Sequence, residues 1–158
     1  MVEILEAEMK LTLRKLKGYK YEVRETFVFQ MAIRGIYVDT KFFALFENGQ
    51  LFAKVGYAFD GASGPAIDTD TILIPSLAHD LLYQMMREGY LPRTYREYAD
   101  DYLKELCLEC GMWKVRANWV HWAVRHFAKR SSEPEKEPRG KIITIELPNI
   151  NWCKTKAA

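Results

Sequence analysis

Cysteine is scarce in this chain: its 158 residues include only Cys107, Cys110 and Cys153. Three thiols make no evident disulfide framework. The chain is therefore expected to be made and kept in a reducing cytoplasm, or in a particle assembled there. Cys107-Leu-Glu-Cys110 is a lone Cys-x-x-Cys pair. A zinc site needs two further ligands, so the pair reads as two small core residues one helical turn apart. Histidine is equally rare, with three in all and the first at position 79. That excludes the metal-dependent phosphohydrolases built on a His-Asp doublet, which need an earlier histidine. His121 and His126 are five residues apart, not on one helical face, and no metal is expected from them. Long apolar runs are also missing. No stretch approaches the roughly 18 apolar residues of a membrane span, and MVEILEAEMKLTLRKLKGYKYE has no uninterrupted apolar centre, so no signal peptide is expected. Nor is there an excess of one charge: 23 Lys and Arg against 21 Asp and Glu leave +2. That is too little to argue for a nucleic-acid partner, and none is expected. No internal repeat is visible.

What remains is an ordinary globular balance, 49% hydrophobic and 28% charged, with four Trp, nine Tyr and eight Phe to fill a core. One domain over 1–158 is expected from this length. Residues 20–60 favour β-structure. KYEVRETFVFQMAIRG alternates, and Asn48-Gly49 lies between FFALF and LFAKVGY as the tip of a hairpin. Glu3 to Lys17 fits neither helical nor strand period cleanly.

From Pro75 the pattern turns helical. One helix is expected from about Ser76 to Arg87, ended by Gly89. A second is expected from about Thr94 to Cys110, and a third from about Lys114 to Lys129. Residues 131–140 read as an exposed linker, and KIITIEL within 141–158 as a short C-terminal strand pairing with the N-terminal sheet or with another copy of the chain. The fold class is thus α+β, with N-terminal antiparallel hairpins, a three-helix half and a late strand. Arg116, Arg125, Lys129 and Arg130 with Trp113, Trp119 and Trp122 suggest a surface for nucleic acid or anionic lipid. The helical spacing of Val115, Trp119 and Trp122 favours core packing instead.

The chemistry-bearing stretch is PSLAHDLLY, a His-Asp pair inside an otherwise apolar helix. On a helix His79 and Tyr83 share a face, while Asp80 lies about 100° around from His79. A short connection makes the next helix an antiparallel neighbour, so Asp100, on one stripe with Leu103 and Cys107, is placed to face His79. Asp101 falls on a more solvated side with Glu97, Lys104 and Glu105. Upstream, YAFDGASGPAIDTD forms a tight loop. Asp60 offers a carboxylate, and Gly61 and Gly64 let carbonyls turn inward. A hard cation such as Ca²⁺ favours such oxygen ligands, and Asp80 can close the same site. His79 would then act on water, with Asp100 holding its other ring nitrogen. Asp68 and Asp70 are expected to cap or to be solvated. Tyr83 is placed in the catalytic group, chiefly as a packed ring with a tethered hydroxyl.

This arrangement resembles the active-site helix of secreted phospholipase A2, most nearly its small prokaryotic and fungal branch. The resemblance implies that His79 activates a water and Asp100 orients the imidazole. It also implies that Asp80, with Asp60 and the Gly61 carbonyl, holds Ca²⁺. Ser76 and Leu81-Leu82 stand where a secreted enzyme often has Cys or Gly, and the loop differs from the usual calcium loop. A tighter resemblance, over residues 55–128, is to a family of phage and prophage proteins of unassigned function. It is carried by Gly56-Tyr57, DGASGP at 60–65, HDLLY at 79–83, Arg96-x-x-Ala99-Asp100 and the aromatic last helix. It implies a phage origin and a place in the bacterial host cytoplasm or the virion. Two functions are expected from different classes. The first is a Ca²⁺-assisted lipid or ester hydrolase acting on host membrane. The second is a non-catalytic virion or assembly component whose partners are phage structural proteins.

Overall fold

A computed structural model of the chain describes residues 10–17, 21–61 and 69–134. Two small antiparallel sheets come first. One has three strands in the order β1 (Leu13–Lys15), β2 (Tyr21–Val23), β7 (Ala58–Phe59). The other has four in the order β3 (Phe27–Gln30), β6 (Gln50–Ala53), β5 (Phe43–Leu45), β4 (Val38–Asp39). Three helices follow: α1 (Asp70–Arg87), α2 (Arg96–Glu109) and α3 (Lys114–Phe127). The fold is therefore α+β. Of the ambiguous opening stretch, Leu13–Lys15 is strand, and residues 1–9 lie outside the description. So does KIITIEL.

Alternation decides the second sheet. In β3, Phe27 and Phe29 point inward while Val28 and Gln30 are exposed, as period-two patterning requires of a half-buried strand. The hairpin between β5 and β6 turns at Asn48-Gly49. Gly49 sits at φ 85° and its N–H donates to the Phe46 carbonyl at 2.8 Å. A Cβ there would lie 2.4 Å from the Met31 carbonyl oxygen, so both backbone sign and space demand glycine.

The run LFAKVGY is not one strand. It breaks after Ala53 at a turn through Val55 and Gly56, and the chain resumes as β7 in the other sheet. That change of sheet delivers Asp60 and Gly61 directly from the end of β7 toward α1.

Helix α1 starts at Asp70, six residues before the expected Ser76, with Pro75 inside it. Proline forfeits one backbone donor. The segment stays helical because Ile72, Pro75, Ser76 and Leu77 are all buried, and tertiary burial outweighs local propensity. Asp70 is exposed at the first helical position, and Asp68 lies outside the description. A continuous core joins both halves, running from Val23, Phe29 and Leu51 of the sheets to Leu77, Leu81, Leu82 and Met85 of α1. Two tyrosines of α2 clasp the end of β3: the Tyr98 hydroxyl accepts from the Ala32 N–H at 2.9 Å, and the Tyr102 hydroxyl donates to the Gln30 carbonyl at 3.1 Å. A second cluster of Ile72, Leu103, Cys107, Met112, Ala117 and Val120 welds α2 and α3 to the start of α1. Cys107 is buried there and its thiol is pushed up to about 12 by burial.

Two further expectations are corrected. The linker does not begin at 131: a 3-10 helix covers Ala128–Ser132, and the Ser131 carbonyl accepts from Arg87 at 2.7 Å. The aromatic residues of α3 are not core. Helix α3 buries Ala117 and Val120, whereas Trp119, Trp122 and Val115 are 42%, 49% and 82% exposed. The helix carries two apolar stripes on opposite sides, and spacing alone does not say which one faces inward.

Candidate active site

The buried dyad is set by the packing of α1 on α2. His79 and Tyr83 are one turn apart on α1, and both reach Asp100 of α2. His79 Nε2 lies 3.0 Å from Asp100 Oδ1, and the Tyr83 hydroxyl donates to the same oxygen at 2.7 Å. The His79 and Tyr83 rings stack obliquely, with centroids 4.0 Å apart. Asp100 is fully buried (0% exposed) and His79 nearly so (7%). A buried carboxylate persists only when its oxygens are satisfied, and here the second oxygen is as well held as the first. Arg125 of α3 donates from Nε to Oδ2 at 2.9 Å, and Arg96 stands 3.8 Å from Oδ2. Burial alone would raise the Asp100 pKa. Hydrogen bonds from His79 and Tyr83, the His79 charge and the Arg125 bond reverse that and hold it below the ordinary carboxylate value.

An ionised Asp100 accepts only, so Nε2 of His79 carries a proton toward it; in the neutral ring Nδ1 then presents the lone pair, a tautomer assigned from the network. Among the described residues Nδ1 has no hydrogen-bond partner. Tyr83 is pushed well above its usual range, first by burial and then by its bond to Asp100. Its hydroxyl stays protonated and acts as a tether. Tyr83→Phe is expected to lower stability by about 1.5–3 kcal/mol, the worth of one hydrogen bond to a charged acceptor, as read by urea denaturation.

Asp80, one position on, turns away from the dyad toward the end of β7. Its carboxyl accepts the backbone N–H of Asp60, and its pKa is pushed up to about 7. Burial contributes most, the neighbouring Asp60 carboxylate next, and Arg87 opposes both. Asp60 is exposed and Gly61 is buried at φ 73°. Gly64 lies outside the description. Two carboxylates thus approach each other at the edge of the site, one wet and one partly dry. Beneath them, Tyr57 donates to Gln84 at 2.9 Å, and its hydroxyl is driven upward by burial and then by Asp80.

Neither arginine was expected to hold the Asp100 carboxylate. Arg96 had a signal: it sits four residues before Asp100 on one helical face. Its guanidinium also donates to the Val124 carbonyl at 3.4 Å and to that of Arg125, satisfying the end of α3. Arg125 had none, because its partner lies 25 residues away in sequence. The solvated-side placing of Asp101 fits its 59% side-chain exposure, yet it is paired, with His121 at 2.6 Å and Arg125 at 2.9 Å. Arg125 therefore bridges a buried His–Asp pair and a surface one. His126 Nδ1 lies 2.8 Å from the Trp122 carbonyl near the helix end.

Among the described residues, no cluster of three or more His, Cys, Asp or Glu side chains is arranged to hold a metal, and no helix is long and apolar enough to cross a membrane. Comparison with protein-family models, curated proteins and solved structures finds no match to the chain.

Proposed function

We propose that the chain is a phage-encoded hydrolase of lipid or other esters, acting on host membrane, with His79 as its base. The observation that carries this reading is the 3.0 Å contact between His79 Nε2 and Asp100, which leaves Nδ1 as the acceptor. In the proposed reaction Nδ1 takes a proton from water while the water oxygen attacks the ester carbonyl. Asp100 stabilises the imidazolium so formed. The proton then passes to the departing alcohol oxygen, and the carboxylic acid product is released. Tyr83 and Arg125 keep the Asp100 carboxylate in place through both transfers.

Asp60, Asp80 and the Gly61 carbonyl are the residues that would hold Ca²⁺. The donor types suit a hard cation, which would take its remaining ligands from further carbonyls or water. Burial first and the Asp60 carboxylate second raise the Asp80 pKa, and a cation between the two carboxylates would relieve their repulsion. A bound Ca²⁺ would supply Lewis-acid stabilisation of the developing carbonyl oxyanion. The phage origin, and a place in the host cytoplasm or the virion, rest on the motif row from Gly56 to Phe127.

One observation favours a second reading. Every oxygen of Asp100 is satisfied and His79 is 7% exposed, as in a network that only fixes helix packing. A non-catalytic virion or assembly component, with phage structural proteins or further copies of itself as partners, would look the same at this level.

Fatty-acid release from phospholipid vesicles separates the two. The wild type in millimolar Ca²⁺ is expected to exceed His79→Ala by at least about a hundredfold, the usual weight of a positioned base. Equal background rates for both would remove the hydrolase reading and leave the structural one.

A further inference from the structure

We infer that the outward face of α3 docks on an anionic lipid surface. At about 100° per residue, Val115, Trp119, Trp122 and His126 fall within a band of roughly 60°. That band lies opposite Ala117, Val120 and Val124, which pack inward. Trp113 just before the helix and Phe127 at its end are 84% and 72% exposed. Trp119 and Trp122 therefore sit on this one face, and the Phe127 ring packs edge-on against Trp122 with centroids 5.6 Å apart. Exposed apolar residues scattered singly need no explanation, whereas a contiguous set does.

Charge identifies the occupant. Residues 113–132 hold five Lys and Arg and no Asp or Glu; Arg125 is engaged by Asp100 and Asp101, and the others, Lys114, Arg116, Lys129 and Arg130, lie around the band. Lys114 and Arg116 lie to either side of the aromatic band, about 100° away in each direction. Lys129 and Arg130 are exposed just beyond the helix end. This is the distribution of an interfacial helix, with an apolar edge for the acyl boundary and cations at headgroup level. Tryptophan, with an apolar body and one N–H, settles at that depth. The shape argues against nucleic acid. The band is the convex side of a helix, with an aliphatic valine among the rings, where a strand-binding surface needs a groove lined by stacking platforms.

The inference deepens the hydrolase reading by naming the surface that meets the bilayer, and rests on it only for the use made of docking. Binding can be measured without turnover, so His79→Ala full-length protein serves as the background. It is expected to co-sediment with phosphatidylglycerol-containing vesicles at low ionic strength, with a blue shift in tryptophan emission. Binding to pure phosphatidylcholine vesicles is expected to be weaker by about tenfold or more, as several cations near the surface imply. Trp119→Ser with Trp122→Ser, both at exposed positions, and separately Lys129→Glu with Arg130→Glu, are each expected to weaken sedimentation about tenfold. Far-ultraviolet dichroism checks that each variant is folded. No sedimentation with anionic vesicles, or sedimentation indifferent to both pairs, overturns the inference. So does a monomer–dimer equilibrium abolished by the tryptophan pair, which would assign the face to a second copy. Tighter binding of single-stranded DNA than of vesicles would overturn it equally.

Discussion

Asp80→Asn is expected to make the calcium-free protein more stable at pH 8, by about 2–4 kcal/mol, and to change little at pH 3. The reason is the crowding of Asp80 by burial and by Asp60, which lifts its pKa from 3.8 to about 7. Three pH units at about 1.4 kcal/mol each set a ceiling near 4 kcal/mol, and the solvent that still reaches Asp80 lowers it. The sign follows from linkage. A carboxyl whose folded pKa is raised gives its full contribution below the unfolded value, near 4, and loses it as pH climbs through about 7. Above that the wild type carries the whole penalty of an ionised, crowded carboxylate. Asparagine cannot ionise and escapes it. Urea denaturation from pH 3 to 8 reads this directly. A variant no more stable than wild type at pH 8 would mean that the two carboxylates do not oppose each other in solution. Calcium adds a second arm: at pH 8 it should raise the wild-type melting temperature and leave the Asn variant nearly unmoved. An equal rise in both would move any cation site away from Asp80.

Asp100→Asn is expected to cost about 3–5 kcal/mol, the range for removing one partner of a buried charged pair. Three donors converge on this side chain at hydrogen-bond distance: His79, Tyr83 and Arg125. A carboxylate accepts from all of them. An amide must turn its NH₂ toward one, putting donor against donor, and leaves the Arg125 charge without its buried partner. The pH dependence runs opposite to that of Asp80. The folded pKa of Asp100 is lowered, so its stabilisation is present above the ordinary carboxylate value and is lost as pH falls through the lower, folded one. The Asn variant should lack that acid-side loss. Matched urea curves at pH 7 and pH 3 test both statements, and a difference under about 1 kcal/mol at pH 7 would contradict a buried, ionised Asp100.

The dyad was legible because helical spacing is a strong constraint. His79 and Tyr83 at i and i+4 must share a face, and a connection as short as Glu88–Pro92 brings the next helix back alongside. Once α1 and α2 are antiparallel, Asp100 on the Leu103–Cys107 stripe has only the interior to face. The turn of Asp80 toward β7 follows from the same geometry. The hairpin tip was equally clear, since Asn48-Gly49 names its own turn. The helix start was misread because Pro75 looks like a first-turn residue, while burial of Ile72 holds the preceding residues helical. The α3 aromatics were misread because two apolar stripes compete for the core and the smaller residues won it. Ala117 and Val120 let α3 lie close to α2, where Trp119 and Trp122 would hold it away.

By itself the sequence determined the α+β order, the hairpin, and the residues able to meet across two neighbouring helices, for these depend on local periods and short connections. Tertiary structure alone decided that Arg125 reaches back 25 residues to Asp100, that β7 changes sheets to set Asp60 beside Asp80, and which side of α3 is wet. Each of these depends on how rigid elements pack at a distance, where side-chain volume and charge neutralisation act together and no local pattern records the outcome.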